Sequence, residues 1–255
     1  GITTIIFDVD DTLYDVGTGF TAHRNGEGAQ GFMVKKLNFP SMEAAKVVRD
    51  EYFERYHSTA KALEVAGKDG RFPSSHTNDN NNNGDGPPNL FRAQDLAEYW
   101  ASNLDFSILN GPYDELRNTI SSIPLNVIAF SNGPRKYVIR VLRELGLWEL
   151  FGESKLFAVD DVLPYCKPEK EAFDIIFDKL NVKPENCIMV EDSMKNTRMA
   201  KKLGMKTILV LGKGRKKRSS STAATTNYAV NSQAVLAAES TKAGDAPVEN
   251  DPAVD

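Results

Sequence analysis

The sequence predicts an α/β protein with a doubly wound parallel sheet, interrupted near its start by an all-helical insert. Three observations carry that reading. A β-branched and aromatic run, Thr4–Phe7, reads as a short buried strand and passes directly into three carboxylates, Asp8, Asp10 and Asp11. From Arg117 onward, strand-like and helix-like runs alternate, the pattern of a parallel sheet with crossover helices. Between these regions, residues 17–112 show apolar positions three and four apart, over a length no loop would need.

The 255 residues allow one large domain or two modest ones, and 41% hydrophobic with 26% charged residues is ordinary for a soluble globular chain. A formal net charge of -4 gives no reason to expect nucleic acid or an acidic membrane as partner. No apolar run approaches a membrane span. The only two cysteines, Cys166 and Cys187, lie in core-like runs, so a cytoplasmic setting is expected and a disulfide framework is not. The chain begins with Gly1 instead of Met, which leaves an organellar leader open.

After the first strand, Gly17, Gly19, Gly26, Gly28 and Gly31 read as a loosened connection, with weak helical spacing at Ala29, Met33 and Leu37. Ala45, Val48, Tyr52, Tyr56, Ala60 and Leu63 form one apolar helix face, opened by Ser41 and Glu43 and ended near Gly67. Residues 73–89 are rich in Asn, Asp and Gly and read as a disordered surface loop. Leu96, Trp100 and Leu104 stripe another helix. Strands follow at 127–130, 156–159, 187–190 and 207–211. Helices lie between them, one beginning at Pro134 and stopped by Gly146, another capped by Ser193 and ending near Gly204. The basic run Lys213 to Arg218 reads as a solvated loop, with a nuclear address as the other use of such a run. Residues 228–232 read as the last short strand and 237–255 as a disordered tail. The expected organisation is therefore a discontinuous core of 1–16 and 113–236 with a helical insert at 17–112.

The carboxylates after the first strand carry the chemistry. A parallel strand delivers its C-terminal end to the crevice where ligands bind. Asp8 and Asp10 fall on one side of an extended chain. Such close charges need a cation or a proton to offset them. A magnesium site with one carboxylate free as nucleophile meets that need; an acidic turn capping a nearby helix is the other reading of the stretch alone.

Asp8-x-Asp10-x-Thr12 is followed by Ser131-Asn132 after a second apolar run, then Lys167-Pro168, then Glu191-Asp192-Ser193 after a third. That order resembles the haloacid dehalogenase-like (HAD) phosphohydrolases, whose motifs stand at these strand ends and helix starts. The resemblance implies a Rossmann-like core with a helical cap, and Mg²⁺-dependent hydrolysis of a small phosphorylated metabolite. It implies Asp8 as nucleophile, Asp10 as acid and base, and Lys167 as the group holding Asp8 and phosphate together. Ser131 and the backbone N–H of Asn132, at a helix start, would bind the phosphoryl group. The metal ligands would be Asp8, the backbone carbonyl of Asp10 and Asp192, with Thr12, Glu191, Ser193 and Asn196 supporting them. An acid at Asp10 favours phosphate chemistry, since dehalogenases of the superfamily lack one there.

Residues 139–143, Cys166-Lys167-Pro168, Glu191 to Asn196 and residues 203–207 look more narrowly like the fungal and plant pyrimidine 5′-nucleotidase branch. By that likeness the substrate is a pyrimidine nucleoside monophosphate, UMP or CMP; Tyr56, His57 and Trp100, whose rings can stack on or hydrogen-bond to a base, are the candidates in the insert to meet it. His57, Lys61 and Ala62 depart from the branch pattern, which bears on base preference and not on the chemistry. Two alternatives stand beside this reading. One is a phosphatase or phosphomutase of the same fold acting on another metabolite, such as a sugar phosphate. The other is a catalytically silent binding protein, which would be expected to lack one of the catalytic groups.

Overall fold

The computed structural model describes residues 1–73, 91–212 and 251–255. The Asn-rich stretch beyond residue 73, the basic run and the strand expected at 228–232 lie outside the described residues.

Five short strands form one parallel sheet: β1 (Thr4–Phe7), β2 (Asn126–Phe130), β3 (Leu156–Phe157), β4 (Cys187–Glu191) and β5 (Lys206–Leu209), in the order β3-β2-β1-β4-β5. β1 is central, and Phe7 lies level with Ala129 of β2 and Val190 of β4. Its side chains alternate between two apolar layers. Ile5 and Phe7 join the larger core, while Ile6 joins Ile128, Phe130 and Met189 in the smaller one. Crossover helices cover the faces: α7 (Arg135–Glu144), α8 (Trp148–Phe151), α9 (Lys170–Leu180) and α10 (Met194–Lys202). The third expected strand is shorter than the 156–159 reading, because a 3₁₀ turn takes over at Val159–Asp161, with Asp161 Oδ2 accepting from the Ala158 N–H at 2.8 Å.

Among the described residues between β1 and β2 every element is helical. The glycines expected to loosen this entry do not break it. α1 (Phe20–His23) runs through a π-helical segment, Arg24–Gln30, into α2 (Gly31–Lys36). Gly28 and Gly31 serve close packing there: a Cβ on Gly28 would lie 3.0 Å from the Trp100 indole nitrogen, and one on Gly31 would lie 3.2 Å from the Tyr99 hydroxyl.

The single helix expected across 41–67 is two. α3 (Met42–Tyr56) ends at His57, which takes a left-handed φ of 51°, and Ser58 then caps α4 (Thr59–Lys68). The apolar spacing carries across the break, so periodicity alone could not show it. α5 (Ala93–Asn103) and α6 (Asp114–Ser121) complete the run before β2. No helix among the described residues is long and apolar enough to cross a membrane.

The end of the expected tail is described: Asp251 pairs with Arg198 at 2.7 Å, and Asp255 Oδ2 accepts from the Thr207 backbone N–H at 2.9 Å. Two acidic side chains meeting basic α10 and the sheet edge account for that placement.

Candidate active site

The site forms where β1, β2 and β4 end. Backbone pairing continues one residue past β1, with Asp8 N–H donating to the Val190 carbonyl at 2.9 Å, so Asp8 is set by sheet register. The chain then turns sharply through Asp11, which has a φ of 59°. Lys167 is fully buried and its Nζ donates to Asp8 Oδ1 at 2.7 Å, to the Phe130 carbonyl at 2.7 Å and to Glu191 Oε1 at 3.0 Å. All three protons of the ammonium are therefore used. Asn132 holds the lysine's backbone from both sides, accepting from Lys167 N–H at 2.9 Å and donating to the Lys167 carbonyl at 2.8 Å.

Glu191 is saturated. Lys167 and the Asn196 amide donate to Oε1, while the backbone N–H groups of Asp192 and Ser193 donate to Oε2 at 2.8 and 2.9 Å. Burial works against its charge, but Lys167 and the Ser193 N–H hold Glu191 below the usual carboxylate range. Asp8 differs: burial, and next the charge of Glu191, push it up to about 7 against the pull of Lys167. Lys167 is held above its usual value because Asp8 and Glu191 outweigh the cost of burying it.

One oxygen each from Asp8, Glu191 and Asp192 lie within 4.8 Å of one another. With Glu191 fully occupied, the carboxylates left for a cation are Asp8 and Asp192, between which the Thr12 hydroxyl sits at 3.2 and 3.3 Å. An all-oxygen set with few carboxylates suits a small, hard divalent cation. The five carboxylates lining the cleft (Asp8, Asp10, Asp11, Glu191, Asp192) face two permanent cations, Arg24 and Lys167. That imbalance favours such an ion.

Asp10 is the most heavily bonded of the expected catalytic groups. Tyr14 and Tyr137 donate their hydroxyls to Oδ1, the former at 2.8 Å, and Arg24 Nη1 meets Oδ2 at 2.8 Å. Burial first, then the negative charge of Asp10, holds the Tyr14 phenol well above its usual range, so it stays a proton donor here. Ser131 Oγ lies 3.5 Å from Asp10 Oδ2 and accepts from the Gly133 N–H at 2.9 Å. Asn132 is not at a helix start: α7 begins at Arg135, after Pro134. Any anion binding by its N–H would come from the loop, not from the helix end.

The expected insert residues divide. His57 and Trp100 line the cleft; Tyr56 does not. Its ring lies under Lys61 Nζ, 5.3 Å away, and its carbonyl accepts from the Cys166 thiol at 3.1 Å, which turns it to the seam between insert and core. Phe53, Asn25, Ser58 and Thr59 line the cleft as well. Sequence reasoning missed Arg24 and Thr21, whose hydroxyl donates to Asp11 Oδ1 at 2.7 Å. Arg24 stands four residues after the apolar Phe20, hence on the same helix face, and that spacing was the available signal.

A family model described as haloacid dehalogenase-like hydrolase matches residues 2–204. Among curated proteins, "Putative phosphatase YhcW" of Bacillus subtilis (strain 168) is 28% identical over 96 residues, which is 38% of this chain and 42% of that protein. The aligned stretch thus spans about two-fifths of the relative's length. Among solved structures, the HAD phosphatase from Thermococcus onnurineus superposes with a TM-score of 0.53 at 18% identity, covering 84% of this chain and 89% of that one. The L-2-haloacid dehalogenase from Xanthobacter autotrophicus, with chloropropionic acid covalently bound, gives 0.48 at 18% identity, covering 86% and 80%. With the family model spanning most of the chain, and the parallel sheet and its strand-end carboxylates in place, the protein belongs to the haloacid dehalogenase-like hydrolases.

Proposed function

We propose that this chain is a Mg²⁺-dependent phosphomonoester hydrolase that works through an aspartyl-phosphate on Asp8, with a pyrimidine nucleoside 5′-monophosphate as its preferred substrate. The observation that carries it is the pairing of a strand-end carboxylate with a buried lysine beside a second, separately held carboxylate: Lys167 on Asp8, and Arg24 with Tyr14 on Asp10.

In this reading Asp8 attacks phosphorus while the bond to the leaving oxygen breaks, and protonated Asp10 gives that oxygen its proton. Asp10, now a carboxylate, takes a proton from water as the water attacks phosphorus and frees Asp8. Ser131 would hold a phosphoryl oxygen, and Lys167, its protons committed to Asp8, Glu191 and the Phe130 carbonyl, would keep its positive charge beside the nucleophile through both steps. Magnesium, held by Asp8, the Asp10 carbonyl and Asp192, would neutralise charge between nucleophile and phosphate. The name of the Bacillus relative agrees with phosphatase chemistry.

Phe53, His57 and Trp100 supply an aromatic side to the cleft that suits a nucleobase. Stacking is worth roughly 1–3 kcal/mol per base and separates bases poorly, so pyrimidine preference must rest on pocket size and polar contacts. The test is kcat/KM for UMP, CMP, AMP, GMP and glucose 6-phosphate, with Mg²⁺ and after exhaustive chelation. UMP or CMP should lead, and chelation should abolish turnover. A sugar phosphate faster than every nucleotide by about tenfold, or roughly 1.4 kcal/mol of discrimination, would replace the nucleotide assignment. Full activity after chelation would remove the metal.

A further inference from the structure

Arg24 combines features that its contact with Asp10 alone leaves unused. It opens the π-helical segment Arg24–Gln30, it lines the cleft, and its side chain is only 12% exposed. Irregular helical turns of this kind are frequent at functional sites. The guanidinium packs against the edge-to-face pair of Trp100 and Tyr137, whose centroids are 5.0 Å apart, its carbon 5.8 Å from the first and 5.7 Å from the second. Tyr137 is itself stacked on Phe20, with centroids 6.3 Å apart and planes 3° from parallel. The donor group therefore has a fixed plane before any ligand arrives.

Its nitrogens are used unequally. Nη1 serves both Asp10 Oδ2 at 2.8 Å and the Tyr137 hydroxyl at 3.1 Å. Nε is buried without a partner. Nη2 makes no hydrogen bond among the described residues, yet it is not among the buried unpartnered atoms, so it is open to the cleft that Arg24 lines. A fork with one arm on Asp10 and the other free presents its second arm beside the place where Asp10 works.

We infer that Arg24 is a specificity-determining residue: Nη2 donates to an uncharged oxygen, a hydroxyl or ring oxygen, on the leaving group of the phosphate ester. This rests on the phosphomonoesterase reading, in which the leaving oxygen lies against Asp10. The charge of the acceptor follows from the surroundings. Asp10 stands against the guanidinium, and Asp11, Glu191 and Asp192 line the same cleft. A second anionic group on the substrate would meet an acidic wall, whereas a polyol meets a free, oriented donor. The substrate class is therefore a monophosphate of a neutral, oxygen-rich alcohol, such as a sugar or nucleoside, and not a phosphorylated acid or a bisphosphate.

The experiment compares ribose 5-phosphate, n-pentyl phosphate and 3-phosphoglycerate on the full chain with Mg²⁺, in wild type and in Arg24→Lys. Lysine keeps a cation for Asp10 and lacks the second arm. In wild type, ribose 5-phosphate should lead both other esters. In Arg24→Lys the kcat/KM ratio of ribose 5-phosphate to pentyl phosphate should fall about tenfold or more, the range for a hydrogen bond to a charged donor, with the change in KM larger than that in kcat. Equal losses on both esters would overturn the inference and confine Arg24 to holding Asp10. A wild type that prefers 3-phosphoglycerate, or makes no distinction between ribose and pentyl esters, would also overturn it, and that comparison needs no variant. If wild type hydrolyses none of the three, the phosphatase reading fails and this inference with it; hydrolysis of all three at one rate removes only the inference.

Discussion

The two walls of the cleft are built differently. On the sheet side, Asp8 and Glu191 are placed by strand register, Lys167 is held in its turn by Asn132, and the three are cross-bonded until few polar atoms are spare; Lys167 alone makes three side-chain hydrogen bonds. On the insert side, Arg24 rides on a π-helical turn and His57 sits in a left-handed break between helices. Three of the four buried polar atoms without a partner among the described residues, on Arg24, Arg49 and Trp100, lie in the insert. A saturated wall holds reacting groups still, which phosphoryl transfer requires. A wall with spare donors is one that can be rewritten for another leaving group. Under the proposed function, the reaction would fall to the wall that tolerates least change, and recognition to the wall that tolerates most.

The largest expected effect tests the sheet-side wall. Asp8→Asn keeps size and removes the attacking charge, so turnover should fall on the order of 10⁴–10⁶-fold with the fold intact by circular dichroism. Asp10→Asn should cost roughly 10²–10⁴-fold through the lost proton donor. A folded Asp8→Asn protein with near-wild-type turnover would take the nucleophile out of the account.

Next in size is Lys167→Met, which strands Asp8 and Glu191 in a buried site. Removing one partner of a buried ionic cluster typically costs about 3–5 kcal/mol, to be read from urea unfolding without metal. A loss under about 1 kcal/mol would mean that the sheet-side wall is looser than its hydrogen bonds indicate.

The smallest effect probes the seam between the walls. Cys166 donates its thiol to the Tyr56 carbonyl of the insert, and burial pushes it up to about 12 despite Lys61 nearby. Burial, then Glu185, likewise pushes Cys187 up to about 11. A raised thiol pKa means that the reactive thiolate appears only as pH climbs towards these values, far above the ordinary range near 8.5. Labelling by a thiol-specific disulfide reagent at pH 8 should be on the order of 10²-fold slower than in unfolded protein, and should keep rising to pH 10. A rate that levels off near pH 9 would show the insert lifting readily from the core.

The sheet-side wall was legible because its signals are local. A short apolar run followed at once by a polar or acidic side chain puts fold and chemistry within a few residues, as in Ile6-Phe7-Asp8, Phe130-Ser131 and Val190-Glu191-Asp192. The insert hides its geometry in longer relations. Arg24 lies in a glycine-rich run that composition reads as a loop, whereas Gly28 and Gly31 let that helical segment pack closely on Trp100 and Tyr99, partners far along the chain. The helix break at His57 leaves the apolar spacing undisturbed, so the turn that brings His57 to the cleft and sends Tyr56 to the seam has no periodic signature. Asn132 was placed at a helix start because Pro134 is a common opening signal; the helix begins one residue beyond it.

The position of β1 has a consequence for how the chain acquires its structure. The first strand made is the centre of the sheet, yet Thr4 finds its partners at Asn126 and Cys187. Until those residues exist, Thr4–Phe7 is an apolar segment with no strand to pair with. α3 and α4 pack chiefly on each other, neighbours in the chain, and can gather first. A nascent or truncated chain ending before β4 would therefore pair β1 with β2 but leave the other edge of β1 open beside a helical layer, the kind of surface that aggregates or recruits chaperones. Production of this protein should consequently be more sensitive to loss of the stretch around residues 187–192 than to lesions of similar size in the insert.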